Sequence, residues 1–553
     1  MSNFPKTQYA VQLVGPNQPM LNRTKAIVPP GPHQIVCRVE AVGLCFSDLK
    51  LLKQFASHVR KTEIVGGIDS KVLDEISSYA PADRPTVPGH EAVVRIEAVG
   101  RGVTRFKCGQ RYLVQTDYRW LPTAQSNASF GYNFEGALQE YVLMDERIIT
   151  SPGGESMLIP VPEQYSASAI ALIEPWACVE DAYASVERQR VKTGGKMLIV
   201  ADNEVSDGTL RELFGTFGRP AKATWVSGSA PPFADIAIES RRKVSDLPDG
   251  AFDDVLYFGC DADKIEELFS KVGPKGLFNI VLCGGRLERD IVTQVGRVHY
   301  GGIRIVGTTG SDPADSMRYI PRTGEIRKGD VINVIGAGGP MGLMHVIRNI
   351  CQGIPGVKVF AGDVDDSRLA VLAKIAKPLA EKNGVQFRTY NASKEKIEDK
   401  FTYVALMAPV PELVAGAVKI AVDGAIINIF AGIPAAVTGR IDLEGYIEKK
   451  LYFIGTSGSV LDDMKQVLAK VVSGRLDTNV SVAAISGLDG ACDGIRAVEN
   501  RSIAGKIIVY PACRGLALTT LEKLAETMPD VAACLNDGLW TTQAEQKLLE
   551  KYQ

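Results

Sequence analysis

A pattern that returns at a nearly constant interval of 148–149 residues constrains this chain most. "GLFNIVLCGG" at 276–285 resembles "GAIINIFAGIP" at 424–434, and "IRIVGTTGSDPADSM" at 303–317 resembles "LYFIGTSGSVLDDM" at 451–464. Gly276 thus matches Gly424, Asn279 matches Asn428 and Gly307 matches Gly455. "VKTGGKMLIV" at 191–200 is likewise similar to "IRKGDVINVI" at 326–335. These stretches alternate short apolar runs with helical patterns, the mark of a parallel sheet with crossover helices. Self-similarity sustained over about 120 residues predicts two tandem Rossmann-like units, one at 189–320 and one at 321–475.

Only the second unit has a turn suited to a dinucleotide. In "VINVIGAGGPMGL" an apolar strand passes through glycines into a helix. Ala337, Gly339 and Gly342 occupy the three positions of a G-x-G-x-x-G turn, with alanine standing first. The turn of Ala337, Gly338, Gly339, Pro340, Met341 and Gly342 would hold a pyrophosphate on backbone N–H groups and the helix N-terminus. The next strand, "VKVFAGD", ends in Asp363, 24 residues after Gly339. An acid there bonds a ribose 2′-hydroxyl and repels a 2′-phosphate, which favours NAD over NADP. The first unit instead reads "LIVADNEVSDG" and places Asp202, Asn203 and Glu204 in the turn. Their side chains and charge oppose a pyrophosphate, so this unit is expected to be degenerate.

The first 150 residues carry short β-rich runs such as "QIVCRVEAVGL", "AVVRIEAVGRGV" and "ALQEYVLM". Their alternation and turn signals predict a small, mostly antiparallel β domain. It contains "VGLCFSDLK" and "VPGHEAVVRIEAVG", followed by "ALIEPWACVEDA". These strings offer Cys45, His90, Glu91 and Glu174. A thiolate, an imidazole and carboxylates form a mixed set that suits a catalytic zinc with an open position. Residues 51–86 separate the first two strings and are expected to hold a helix near 70–78.

These motifs together resemble the zinc-dependent medium-chain dehydrogenase/reductase superfamily, and within it the sorbitol (polyol) dehydrogenase branch. "GLCFSDL", "PGHE" and "EPWACVEDA" carry the resemblance, which covers roughly 25–190 and 320–511. It implies a GroES-like barrel, and so an α/β plus β fold with two doubly wound units and a helical C-terminal tail. The implied division is a catalytic domain at 1–188 and 476–511, a degenerate unit at 189–320, an NAD-binding unit at 321–475 and a tail at 512–553. It further implies that Ser47 bonds the substrate oxygen and begins a proton relay, with Asp48 behind a metal ligand. Glu91 or Glu174 would complete the zinc site, directly or through water. Arg368 is similar to an adenosine-stacking arginine of the family. A second, structural zinc is not expected, because no cysteine lies between Cys108 and Cys178.

Composition sets outer bounds. At 553 residues the length suits three or four domains. A net charge of −2 without a long basic run speaks against nucleic-acid or acidic-membrane binding. The ten cysteines include no CxxC pair and read as reduced thiols of a cytoplasmic protein. The opening "MSNFPKTQYAVQLVG" lacks an apolar signal region, and the apolar stretch at 331–347 reads as a buried strand and helix start. The leading expectation is zinc- and NAD-dependent hydride transfer at a secondary alcohol or ketone of a polyol or sugar derivative, phosphorylated or not. The alternatives are a lyase or epimerase that uses bound NAD transiently, and a non-catalytic dinucleotide-sensing scaffold. A homodimer or homotetramer is expected.

Overall fold

The computed structural model describes residues 5–232, 236–456 and 458–552. Ser457, inside the second repeat string, and the first four residues of the opening segment lie outside them. The chain divides into two compact units, one of Met1–Ala177 with Ser459–Gln553 and one of Cys178–Gly458.

The first unit is built on an eight-stranded sheet at whose centre Gln34–Gly43 pairs antiparallel with Glu91–Val99. Both strands carry Val, Ile and Ala at alternating or continuous buried positions, as a sheet covered on its inner face requires. Arg111–Val114 and Leu158–Pro160 extend the sheet on one side, and Tyr141–Asp145 adds to Gln34–Gly43. On the other side lie Lys506–Val509 and Val482–Ser486. These last two run parallel, and the helix Leu488–Asn500 makes the crossover that a parallel pair demands.

The stretch between the central strands contains the helix Phe46–Gln54 and a shorter one, Ser70–Asp74. The latter starts at Asp69, whose carboxylate accepts from Lys71 N at 3.0 Å, and it ends four residues before the expected boundary. Lys61 closes this arm from inside. Its fully buried ammonium donates to Ala80 O at 2.6 Å and Arg84 O at 2.7 Å.

The C-terminal stretch docks on the same unit through short helices at Leu524–Thr527, Pro529–Ala532 and Thr542–Lys551. The sequence pattern suggests Thr542 and Glu545 as a capping box. Thr541 caps the helix instead, accepting from Ala544 N at 3.0 Å. Glu545 turns away and accepts from Ala167 N and from Ser168 N, the latter at 2.8 Å. It thereby satisfies the open N-terminus of the helix Ala167–Ala171, which leads into Ile173–Ala184.

The second unit contains two six-stranded parallel sheets. In spatial order the first runs Ala237–Arg241, Lys222–Ser227, Lys196–Ala201, Phe252–Phe258, Val272–Val281 and Arg304–Thr308. The other runs Gln386–Asn391, Lys358–Asp363, Val331–Ile335, Phe401–Leu406, Ala421–Ile429 and Tyr452–Ile454. Both follow the order third, second, first, fourth, fifth, sixth. The reversal between first and fourth strands opens a crevice at the strands' carboxyl ends, where such sheets hold ligands. One hydrophobic cluster joins the two sheets and includes Phe278 and Ile280 of the first and Ile427 and Phe453 of the other.

Candidate functional site

In the first unit Cys45 stands at the N-cap of the helix Phe46–Gln54, just past the strand Gln34–Gly43. Asp48 fixes this corner. It accepts from Cys45 N at 3.0 Å through one oxygen, and from Gly89 N at 3.1 Å through the other. The second oxygen also meets His90 Nδ1 at 3.2 Å. A buried carboxylate thus links the loop of Cys45 to the strand entry that carries His90 and Glu91. A carboxylate on Nδ1 orients the ring and sets its tautomer, leaving Nε2 for a ligand.

Ligand atoms of Cys45, His90 and Glu91 all lie within 4.8 Å of one another. Glu91 is fully buried, and its Oε1 accepts from Lys506 Nζ at 2.5 Å. Its Oε2 has no hydrogen-bond partner. A buried carboxylate oxygen in that state is costly unless a cation or donor meets it. Room for it depends on Gly43, where a Cβ would strike Glu91 Oε2. Burial opposes charge on His90, yet Tyr132 and Asp48 hold its pKa well above the usual value. An S/N/O donor set with an orphaned oxygen fits a zinc ion.

Glu174 lies in the first turn of Ile173–Ala184 and is buried, but it is not among the three grouped ligands. Burial pushes its carboxyl up to about 7, with His90 and Lys506 pulling it down and Glu91 and Asp117 pushing it up. Ser47 Oγ lies 3.6 Å from Cys45 Sγ. Phe46 is half exposed, whereas Trp176 is buried with its indole N–H 3.4 Å from Ser481 Oγ.

Several neighbours escape a motif reading. Lys506 is one, although a lysine inside the apolar run "GKIIVY" is itself a signal. Tyr132 is another, its ring 5.7 Å from that of His90 and 5.0 Å from that of His58. Arg60 places its guanidinium 5.6 Å from the Tyr132 ring and pairs with Asp117 at 2.9 Å. His58 and Arg60 both come from the arm between the two ligand strings.

In the second unit, Val331–Ile335 ends at Gly336, which needs its φ of +83°, and Gly339 is the N-cap of Pro340–Cys351. Proline at the first helical position costs no hydrogen bond there. A Cβ on Gly342 would strike Gly336 O, so that glycine permits the close packing of turn and helix. A Cβ on Gly339 would meet nothing within 4 Å, leaving its face open to a ligand. Ala337 is buried, and Met341 lies in the first turn of the helix. Asp363 ends the strand Lys358–Asp363 and accepts from Gly338 N at 2.8 Å. Arg368 follows in the next helix, with Asp365 at 3.6 Å. The equivalent crevice of the first sheet is furnished differently: Asp202 takes the Tyr257 hydroxyl at 2.5 Å and the Lys264 ammonium.

Residues 31–152 match the alcohol dehydrogenase GroES-like domain. The chain is 24% identical over 521 residues to L-sorbose 1-phosphate reductase of Klebsiella pneumoniae, covering 93% of this chain and 91% of that one. It is 27% identical over 252 residues to the uncharacterized protein YggP of Escherichia coli K12, covering 41% of this chain. That match spans 58% of YggP, less than two thirds of its length. The structure of 2R,3R-butanediol dehydrogenase from Bacillus subtilis superposes with a TM-score of 0.51 at 14% identity, covering 91% of this chain and 100% of that one. The fold is therefore that of a GroES-like domain joined to Rossmann-like parallel sheets. By these likenesses the chain is similar to zinc-type, alcohol dehydrogenase-like proteins of the medium-chain dehydrogenase/reductase superfamily. Among the described residues no helix is long and apolar enough to cross a membrane.

Proposed function

We propose that this protein is a zinc- and NAD-dependent dehydrogenase acting on a secondary alcohol or ketone of a polyol or sugar derivative. The observation that carries the reading is the buried convergence of Cys45, His90 and Glu91 with one carboxylate oxygen unpartnered. When bound, zinc polarises a hydroxyl or carbonyl oxygen and the nicotinamide exchanges hydride. Cys45 and His90 would hold the metal, with Glu91 or Glu174 as the oxygen ligand. Asp48 keeps the His90 ring oriented through Nδ1. Ser47 would hold the substrate's hydroxyl proton, since its hydroxyl lies beside Cys45 Sγ. The turn Ala337–Gly342, with Asp363 and Arg368, would hold NAD; Asp363 at the strand end is the feature that favours NAD over NADP.

An oxygen-rich ligand set favours a polar pocket, and a substrate with neighbouring hydroxyls would satisfy it where a simple alcohol would not. His58, Arg60 and Asp117 add polar groups beside Tyr132. The relative named L-sorbose 1-phosphate reductase supports a sugar-type substrate with or without phosphate. In this reading 1–188 and 476–511 form the catalytic domain, 321–475 is the NAD-binding unit, 189–320 a duplicated unit without cofactor, and 512–553 an extension of the catalytic domain.

The test is metal analysis followed by a panel of alcohols read as NADH absorbance. About one zinc per chain is expected, with Cys45→Ser and His90→Ala losing metal and activity together while far-UV circular dichroism is kept. Faster turnover of ethanol than of polyols or their phosphates would refute the substrate class. Zinc-free protein of full activity would refute the reaction.

A further inference from the structure

The two repeats do more than resemble one another: they meet across contacts that exchange under the 148-residue offset. Ile291–Thr293 of the first repeat pairs antiparallel with Gly439–Ile441 of the second. The register is Ile291 with Ile441, Val292 with Arg440 and Thr293 with Gly439. Arg440 is the offset equivalent of Val292, so the middle pair joins a position to its own counterpart. The outer pairs swap equivalents: 291 corresponds to 439, and 293 to 441. That is the pattern of a two-fold isologous contact, in which i touches j and the counterpart of j touches the counterpart of i.

Further contacts repeat the relation. A Cβ on Gly307 would lie 2.7 Å from Ile447 Cγ1, and a Cβ on Gly455 would lie 3.0 Å from His299 Cα. Positions 307 and 455 are equivalents, as are 299 and 447. Gly296 packs on the backbone of Ile433 and Pro434. Its equivalent, Glu444, accepts from Leu287 N at 2.7 Å and pairs with Arg286, the counterpart of Pro434. The sixth strands of the two sheets, Arg304–Thr308 and Tyr452–Ile454, approach each other at the same junction. The cluster beneath is a single apolar core that draws on both repeats.

We propose that the first repeat is a built-in partner for the second: an isologous dimer interface carried inside one chain, so that the active particle is the monomer. Two consequences explain otherwise unconnected observations. The first repeat keeps its sheet and its interface glycine while its crevice is closed by Asp202, Tyr257 and Lys264. An interface made only of the second repeat would call for another copy of the chain, whereas here that face is already covered. The proposal stands on contacts between the repeats and does not depend on the metal or on the substrate.

Two measurements on the full-length protein test it. Sedimentation equilibrium, combined with specific activity over the same dilution series, should give 59.6 kDa with constant activity per chain. A dimer whose activity falls as it dissociates would overturn the proposal, whereas a dimer that dissociates without loss would support it. Hydrogen exchange on Gly307→Ala, and on the milder Glu444→Gln if that variant misfolds, reports the interface itself. Exchange should quicken in the opposite repeat: around 443–455 for the first variant and around 285–296 for the second. Unchanged exchange in the opposite repeat would overturn the proposal.

Discussion

The Lys506 ammonium donates to Glu91 Oε1 at 2.5 Å, and both side chains are buried. The same ammonium donates to Leu44 O at 2.8 Å, one residue before Cys45. The pair therefore neutralises one carboxylate of the donor cluster and ties the Cys45 loop to the strand Lys506–Val509, which closes the sheet from the far end of the chain.

Removing the lysine alone leaves a buried carboxylate without its cation, a change that costs about 3–5 kcal/mol in comparable pairs. Lys506→Met is expected to lower the unfolding free energy of the zinc-free protein, read from urea titration, by an amount of that order. Zinc should restore more stability to this variant than to the wild type, because the metal supplies the missing positive charge. The double variant Glu91→Gln/Lys506→Met should recover stability without recovering tight metal binding. Equal zinc stabilisation of wild type and Lys506→Met, followed by thermal unfolding, would show that the lysine does not bear on the metal site.

The glycines of the second sheet's turn make opposite predictions. Gly342→Ala forces a Cβ onto Gly336 O and should destabilise the protein whether or not NAD is present. Gly339→Val meets no protein atom within 4 Å. Its melting temperature should stay within about 2 °C of wild type, since a surface change of this kind moves stability by only a few tenths of a kcal/mol. NAD binding, read by calorimetry, should nevertheless fall sharply. Asp363→Asn should narrow the preference for NAD over NADP. An unchanged NAD affinity in Gly339→Val would move the cofactor elsewhere.

Much of this was legible in the sequence because the signals are local. The Cys45–Asp48 corner, the His90–Glu91 pair and the strand–turn–helix at 331–347 each fit in a short window. Repeats show at a fixed offset whatever the fold does between them. Long-range electrostatics leave no such trace. Lys506 finds Glu91 across 415 positions, and nothing near either residue announces the other. The arm between the ligand strings was visible as a long separating stretch, yet its delivery of His58 and Arg60 to Tyr132 is a tertiary contact that no local pattern announces. Capping shows the same limit. The Thr542–Glu545 spacing suited a capping box, but tertiary contact gave Glu545 to another helix.

His58 predicts a pH effect. Burial, with the positive charges of Arg60 and Lys50 and the nearby His90, lowers its pKa from 6.5 to about 4. The unfolded chain therefore binds this proton before the folded one does. Stability contributed by the neutral ring is complete above pH 6.5 and is lost as pH falls from 6.5 towards 4. The loss by pH 4 is about 3 kcal/mol by the usual 1.36 kcal/mol per pKa unit. Urea titrations of metal-free wild type and His58→Gln between pH 4 and 7 should diverge accordingly, the wild type falling more steeply. Parallel curves would mean that the ring accepts its proton in the folded state without penalty.

Glu545 carries the last prediction. Its carboxylate accepts from Ala167 N and Ser168 N and takes the Tyr510 hydroxyl at 2.8 Å, while Trp540 donates to that same hydroxyl at 3.0 Å. Asn479 braces the same corner, bonding Ser166 Oγ at 3.0 Å. The tail thus fixes the start of the helix Ala167–Ala171, and three residues beyond its end stands Glu174. Glu545→Ala strips the charged acceptor from two buried N–H groups, a loss of about 3 kcal/mol if each bond is worth about 1.5 kcal/mol, the lower end of the range for a charged acceptor. Hydrogen exchange should accelerate at 167–172 and Trp540 fluorescence should shift, since its hydroxyl partner is freed. If the tail only covers surface, Glu545→Ala will leave exchange at 167–172 untouched. If it sets the helix that carries Glu174, the same variant will also weaken zinc binding without touching a ligand.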